Sequence, residues 1–364
     1  MRILISFHNK EGYENIIPVA DYLKKKDFSI TLLDLCPYYL QDSNNNNFFK
    51  KAKLNLFFKD KNNHRNLSKI RKVIFYIQLI ALNYKLFKAY DCYLFSPGGF
   101  IEGQISKKFK KRGKHTFFIE GGLRAVLVAD YPDKPKNKIS HSFLNDISRH
   151  YVSGEENKEI ILNNLQNTST LSKKIQAFGV PRYKNLVTGK TNYEYKKIKN
   201  VLYLTTAAEY HDYIILQEWH DSEMKILKKL IKNSSYNYRL RVHPRDNIEK
   251  YKDFSETNIT SALDKSLYAD VKWSDIVVTI PSSTFFEINY FGKPFLILWP
   301  FNHITEVFRP DVTSLISLEK KLNSLNKKEL SKKFIDQRTY SDSFVSLNSS
   351  ESSKLIAEDI ISFF

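Results

Sequence analysis

The chain has 364 residues, long enough for two domains with a hydrophobic core each. Hydrophobic residues at 42% and aromatics at 14% supply those cores and exclude a disordered chain. Lys and Arg number 57 against 39 Asp and Glu, a net charge of +18 that favours anionic partners such as nucleotides, acidic glycans, anionic lipid or nucleic acid without choosing among them.

Lys, Asn and Ile are spread along the whole chain, including the run Asn44 to Asn47, so a generally solvated surface accounts for the charge surplus equally well. Cys36 and Cys92 are too few for a disulfide framework or a cysteine-ligated zinc site. The opening apolar run, Ile3-Leu4-Ile5, is too short for a signal-peptide core, and together these features point to a reducing cytoplasm.

Arg2 to Phe7 reads as a first strand, followed by a turn with Gly12, a helix from Glu14 to Lys25 and a strand from Ser29 to Asp34. This rhythm is that of a βαβ unit with a parallel sheet. Gln41 to Asn66 is basic and of low complexity. The apolar stretch from Val73 to Phe87 is broken by Gln78, Asn83 and Lys85, which suits a buried or interfacial helix better than a membrane span. Lys69, Arg71, Lys72, Lys85 and Lys88 flank it and could meet anionic headgroups.

Cys92 to Ser96 and Thr116 to Ile119 read as further strands, running into Gly98-Gly99 and Gly121-Gly122 at the carboxyl edge of the sheet, where ligands of open α/β sheets bind. Tight turning alone would also place glycine there. Tyr151 to Ser153 reads as a strand before a helix near Glu155, and Gln176 to Arg182 closes a first domain over residues 1–185. The polar, Lys-rich stretch up to Asn200 is then the linker. A second βαβ series occupies 200–345, with strands at 201–204, 238–242, 276–280 and 294–298 and helices at 221–232 and 284–290. Residues 346–364 carry Leu355, Ile356, Ile360, Ile361 and Phe364 at helical spacing, an amphipathic terminal helix. The expected class is α/β, two doubly wound Rossmann-like domains with a cleft between them.

Three elements at strand ends carry the candidate chemistry. Ser282, Ser283 and Thr284 open a helix, where hydroxyls and free backbone N–H groups suit an anion. Thr284 with Glu287 also reads as a capping box, a purely structural use. His243 is held extended by Pro244 and is followed by the permanent charge of Arg245, a donor set for phosphate, although a His before Pro also serves structure alone. The 39 positions between His243 and Ser282 allow a strand, helix and strand to bring both to one sheet edge. Glu120 ends an apolar strand before two glycines, where a carboxylate facing a cleft can act as general base or simply cap a turn. No metal site is expected: Asp-x-Asp is absent, Asp221-Ser222-Glu223 lies in a helical stretch, and His8, His211, His220 and His303 read as turn or surface residues. Walker and Gly-x-Ser-x-Gly motifs are absent.

Taken in order, Glu120-Gly121, His243-Pro244 and Ser282-Ser283 resemble the three motifs of bacterial sialyltransferases of the capsule polysialyltransferase and lipooligosaccharide type. The resemblance implies a GT-B fold and an inverting, metal-independent glycosyltransferase with no cofactor. Its co-substrate would be a CMP-linked acidic sugar and its acceptor a glycan or lipid-linked glycan of the bacterial surface. Glu120 would be the base, His243 would assist the departing phosphate, and Ser282 with Ser283 would hold it. Ile119 departs from the family's frequent double-acidic motif. Phe178 to Tyr183, Ser274-Asp275 and Gly292-Lys293-Pro294 resemble a second family, the CDP-glycerol glycerophosphotransferases of teichoic acid synthesis, which carry His-Gly where this chain has Glu120-Gly121. Kdo transferases share the layout. The enzyme would work in the cytoplasm, peripherally on the inner membrane face. In a different class, the basic stretches from Lys50 to Lys72 and from Lys107 to Lys114 would make the chain a polyanion-binding protein, but no nucleic-acid module accompanies them.

Overall fold

The computed structural model describes residues 1–36, 49–54, 77–78, 81, 83–120, 144–163, 172–206, 214–244, 246–254, 259–261, 265–282, 284–301, 310–345 and 347–364. They fall into two compact units: an N-terminal unit drawn from Met1–Leu123, Lys138–Thr188 and Ser343–Phe364, and a C-terminal unit from Gly189–Asp342.

The N-terminal unit begins with β1 (Arg2–Phe7), α1 (Lys10–Lys24), β2 (Ser29–Asp34) and β3 (Lys50–Ala52). It continues through α2 (Tyr84–Ala89), β4 (Cys92–Phe95), α3 (Phe100–Lys110), β5 (His115–Ile119), β6 (Arg149–Tyr151), α4 (Glu155–Asn163), β7 (Ile175–Gln176) and α5 (Lys184–Thr188). Its sheet is parallel throughout, in the order β3-β2-β1-β4-β5-β6-β7. Both faces are covered, so β1 from Ile3 and β4 throughout are continuously buried rather than alternating. Leu4, Phe95, Ile101, Ile105, Phe109 and Phe118 are among the fully buried side chains of its core.

Helix α1 starts at Lys10, earlier than Glu14, because Asn9 caps it: its side-chain oxygen accepts from the Gly12 amide at 2.7 Å. Gly12, read from sequence as a turn residue, sits inside the helix because a Cβ there would lie 2.0 Å from the Ser96 carbonyl oxygen. Its missing side chain lets α1 lie directly against the turn after β4.

The C-terminal unit holds β8 (Asn200–Leu204), α6 (Ile214–Asn233), β9 (Asn237–Arg241), β10 (Ile259–Thr260), α7 (Leu267–Trp273), β11 (Ile276–Thr279), α8 (Thr284–Tyr290), β12 (Phe295–Ile297), α9 (Leu318–Ser324) and α10 (Lys327–Phe344). Its parallel sheet runs β10-β9-β8-β11-β12. Helix α6 begins seven residues before Asp221, and Leu216, His220, Glu223 and Leu227 form its buried stripe. His220 is therefore interior, not at a turn or the surface. Glu223 is also buried and accepts from the Ser314 hydroxyl at 2.9 Å and the Leu315 amide at 2.6 Å, whereas Asp221 is exposed.

Helix α11 (Ser352–Ile361) returns to the N-terminal unit, buries Ile356, Ala357 and Ile360, and packs on α1. The unit boundary falls between Thr188 and Gly189, inside the Lys-rich stretch read as a linker. Most of the basic stretch 41–66 and of the apolar stretch 73–82 lies outside the described residues; α2 at its end buries Phe87. Among the described residues no helix is long and apolar enough to cross a membrane.

Candidate functional site

In both units the strand order reverses beside the first strand. β1 sends the chain outward to β2 and β3, then β4 returns to its other side; β8 is flanked in the same way by β9 and β11. Ligands of doubly wound sheets bind beyond the carboxyl ends of strands at such reversals. The sequence-predicted site residues that the structure describes cluster at these two edges.

At the edge of the C-terminal unit, His243 follows β9 by one residue, Thr205 directly follows β8, and Ser282 lies just beyond β11. Since β9 and β11 both pair with β8, His243 and Ser282 flank Thr205. The His243 amide donates to Thr205 Oγ1 at 2.8 Å, and its carbonyl accepts from the Asp246 amide at 2.9 Å, closing a turn with Pro244 at the second position. Asp246 is itself fixed by Tyr251, whose hydroxyl donates to Oδ2 at 2.5 Å. Burial first, and then that hydrogen bond, push the Tyr251 hydroxyl up, so it stays protonated and a donor. His243 is thus half-buried on a backbone held from both sides.

Thr284 is the first residue of α8 rather than its N-cap. Its amide donates to Ser282 Oγ at 3.3 Å, and the two hydroxyls lie 3.0 Å apart. The expected capping box from Thr284 to Glu287 is therefore displaced: Ser282 supplies the hydroxyl and Glu287 is half-buried in the first turn. At seven residues α8 has a small macrodipole, so hydroxyls and an imidazole would dominate any anion binding here. Arg245 and Ser283 lie outside the described residues.

At the edge of the N-terminal unit, Glu120 follows β5 and is 1% exposed. Its Oε2 accepts from Asn157 Nδ2 on α4 at 3.2 Å and lies 3.5 Å from His150 Nε2. Glu120 is thus turned into the interior, and its partner on a helix is an amide rather than a salt-bridging cation. A carboxylate out of water needs donors, and the interior supplies them. His150, which polar composition hid from the strand reading, is fully buried in β6 and stacks on Phe118 at 4.6 Å. Asn15 on α1 extends the network: its Nδ2 reaches the Glu120 carbonyl and Ser96 Oγ at 3.4 Å each, and its Oδ1 accepts from the Arg182 amide at 3.3 Å. Arg182 pairs with Glu11 at 2.7 Å. Gly98 and Gly99 lie between β4 and α3 on this edge; Gly121 and Gly122 lie outside the described residues.

One pair was missed from sequence. His8, immediately after β1 and read as a turn or surface residue, places Nδ1 2.5 Å from Glu102 Oε1 on the first turn of α3. The Glu102 side chain is fully buried and that of His8 keeps 13% exposure. The available signal was a His at the first strand's end and a Glu opening the helix after the neighbouring strand.

Other motif residues serve the fold. Asp275 accepts from the Lys199 and Asn200 amides at 2.9 Å, and Lys293 Nζ donates to the Ser274 carbonyl, all at the amino end of the second sheet. Gly179 takes φ +79° where a Cβ would meet Ser349 Oγ at 2.5 Å. Lys110 and Lys114 of the basic run bond backbone carbonyls, Lys114 those of Phe87, Lys88 and Tyr90. Among the described residues no group of three or more His, Cys, Asp or Glu is gathered as for a metal ion.

Two Rossmann-like units of parallel sheet, each with polar side chains at its reversal point, define the GT-B fold class. The chain is similar in structure to a UDP-N-acetylglucosamine 2-epimerase from Listeria monocytogenes, with TM-score 0.64 and 12% identity over 100% of this chain and 96% of that one. The epimerase from Neisseria meningitidis bound to UDP-GlcNAc superposes with TM-score 0.61 and 14% identity, both chains fully covered. The wall teichoic acid polymerase TagF, in a variant soaked with CDPG, gives 0.58 and 14% over 99% of this chain and 88% of that one. No protein-family model and no curated protein sequence matches the chain.

Proposed function

We propose that the chain is a transferase of nucleotide-activated groups whose leaving product is CMP, with CDP-glycerol as the favoured donor class and a hydroxyl of a surface polymer as acceptor. The observation that carries this reading is the clamped His243 beside Thr205, with the Ser282 and Thr284 hydroxyls across β8, at the reversal point of the second sheet. Hydroxyls and one imidazole suit a single departing phosphate, on which charge develops as the bond breaks. Transfer of glycerol phosphate from CDP-glycerol and transfer of a sugar from a CMP-sugar both release that same monophosphate.

The fold likeness to TagF, solved with CDPG, supports the CDP-linked donor. So does the segment from Phe178 to Tyr183, which resembles CDP-glycerol transferases and folds onto the Asn15 and Glu120 network through Arg182. A second reading, a CMP-activated acidic sugar such as sialic acid, is favoured by Glu120, which stands where CDP-glycerol transferases carry His-Gly. The motif order gives Glu120 the role of base in that reading.

Thermal melts of the full chain with CMP, CDP, UDP and GDP test the proposal. A ligand at about 100 times its dissociation constant stabilises by about 2.7 kcal/mol. Selective stabilisation by CMP and CDP is expected, with CMP released from CDP-glycerol faster than from CMP-sialic acid. The reverse preference moves the donor to the sialyl reading. Stabilisation by UDP alone overturns both and aligns the chain with its epimerase neighbours.

A further inference from the structure

We propose that His8, oriented by Glu102, is the group that takes the proton from the acceptor hydroxyl, an assignment that rests on the transfer reading above. The motif resemblance gives this role to Glu120. The geometry points to His8.

His8 stands at the carboxyl end of β1, where the order of the first sheet reverses, whereas Glu120 lies two strands away, about 10 Å at the usual strand spacing. The Glu102 carboxylate accepts at Nδ1, which selects the tautomer in which Nε2 carries the lone pair. The same pairing balances the positive charge that the ring gains when Nε2 is protonated, the arrangement by which a buried carboxylate supports a catalytic imidazole. The His8 side chain keeps 13% exposure while Glu102 is sealed, so the imidazole is the member of the pair that a solvent-borne acceptor can reach. Glu120, 1% exposed and accepting from Asn157, is embedded in the fold.

The segment that carries His8 is rigid. Asn9 caps α1 directly after it, and Gly12 is pressed against the Ser96 carbonyl of the turn that leads to α3. Glu102 and His8 are therefore fixed from two sides of the same turn, which is the preorganisation a proton-transfer pair needs.

In the step, the acceptor O–H bond breaks and its proton moves to His8 Nε2. The freed oxygen pair forms a bond to the β-phosphorus of CDP-glycerol. The bridging P–O bond breaks, and its electron pair leaves on the phosphate of CMP. His8 then returns its proton to solvent or to the departing phosphate. Glu102 is a positioning residue in this scheme.

CMP release from CDP-glycerol, with glycerol as the hydroxyl acceptor, tests the assignment in full-length wild type, His8→Gln, Glu102→Gln and Glu120→Gln, with CDP affinity measured alongside. Expected are a kcat loss of about 100-fold or more for His8→Gln, a smaller kcat loss for Glu102→Gln at unchanged KM, and CDP affinity and melting temperature held in both. Added imidazole should restore turnover in His8→Gly, a response that a structural role would not give. His8→Gln within about threefold of wild type, while Glu120→Gln is silent, overturns the assignment and leaves the transfer reading standing. A wild type silent toward both CDP-glycerol and CMP-sialic acid overturns the transfer reading, and this assignment with it.

Discussion

Both units bury carboxylates, but they surround them differently. In the C-terminal unit, Asp270 is gripped by Arg241 at 2.5 Å, Arg239 at 3.2 Å and the Thr260 hydroxyl at 2.8 Å. In the N-terminal unit, Glu102 meets the His8 imidazole, and Glu120 meets the Asn157 amide and the His150 ring. A guanidinium is charged at every working pH, so the first arrangement fixes structure. An imidazole can accept or give a proton at a ring nitrogen, so the second offers a group that can move one. Equal burial thus separates into a brace in one unit and candidate chemistry in the other.

The largest expected effect breaks the brace. Asp270→Asn leaves two guanidiniums facing a neutral amide and should destabilise by about 3–5 kcal/mol, read by urea unfolding. A loss under about 1 kcal/mol would show that the pair is peripheral to stability. Glu102→Gln should behave oppositely, holding stability within about 1 kcal/mol while transfer falls, because functional polar groups are retained at the expense of stability. A collapse of folding in that variant would put Glu102 in the same class as Asp270.

Gly12→Ala should destabilise by about 1–3 kcal/mol, since the added methyl meets the Ser96 carbonyl and Pro97 with little freedom to shift. An unchanged melting temperature would show that the turn bearing His8 is looser than the packing requires.

The smallest effect concerns pH. Burial holds the His220 imidazole below its ordinary value of 6.5, against the opposing influence of Asp246 and Asp221. The folded state therefore resists protonation while the unfolded chain takes up a proton as pH falls below about 6.5, so stability declines there and levels off once folded His220 is also charged. Wild type should lose more stability than His220→Gln between about pH 7.5 and about pH 5. Equal slopes would remove His220 from the acid response.

The sequence made some of this legible and hid the rest for physical reasons. Apolar runs such as Ile3 to Phe7 and Ile276 to Ile280 locate the central strands because both faces of each sheet are covered. His243 and Ser282 could be placed because each follows such a run. Strands β3, β7 and β10 are two or three residues long and carry no period to detect. The start of β6 is read at Tyr151 rather than Arg149 because the polar Arg149 and His150 precede the apolar run, although the His150 ring is fully buried. His8 and Glu102 are 94 positions apart and meet only because β4 returns beside β1, an adjacency that no local pattern encodes. The contact of Asn15 with the Glu120 carbonyl spans 105 positions for the same reason.

The central claim is that the second unit holds the phosphate of a cytidine nucleotide at His243, and calorimetric titration of CDP into wild type, His243→Ala and Ser282→Ala tests it most directly. The account predicts saturable binding by wild type that weakens by about tenfold or more in both variants, equivalent to about 1.4 kcal/mol or more, at unchanged melting temperature. No binding by wild type, or equal affinity in all three proteins, would contradict it.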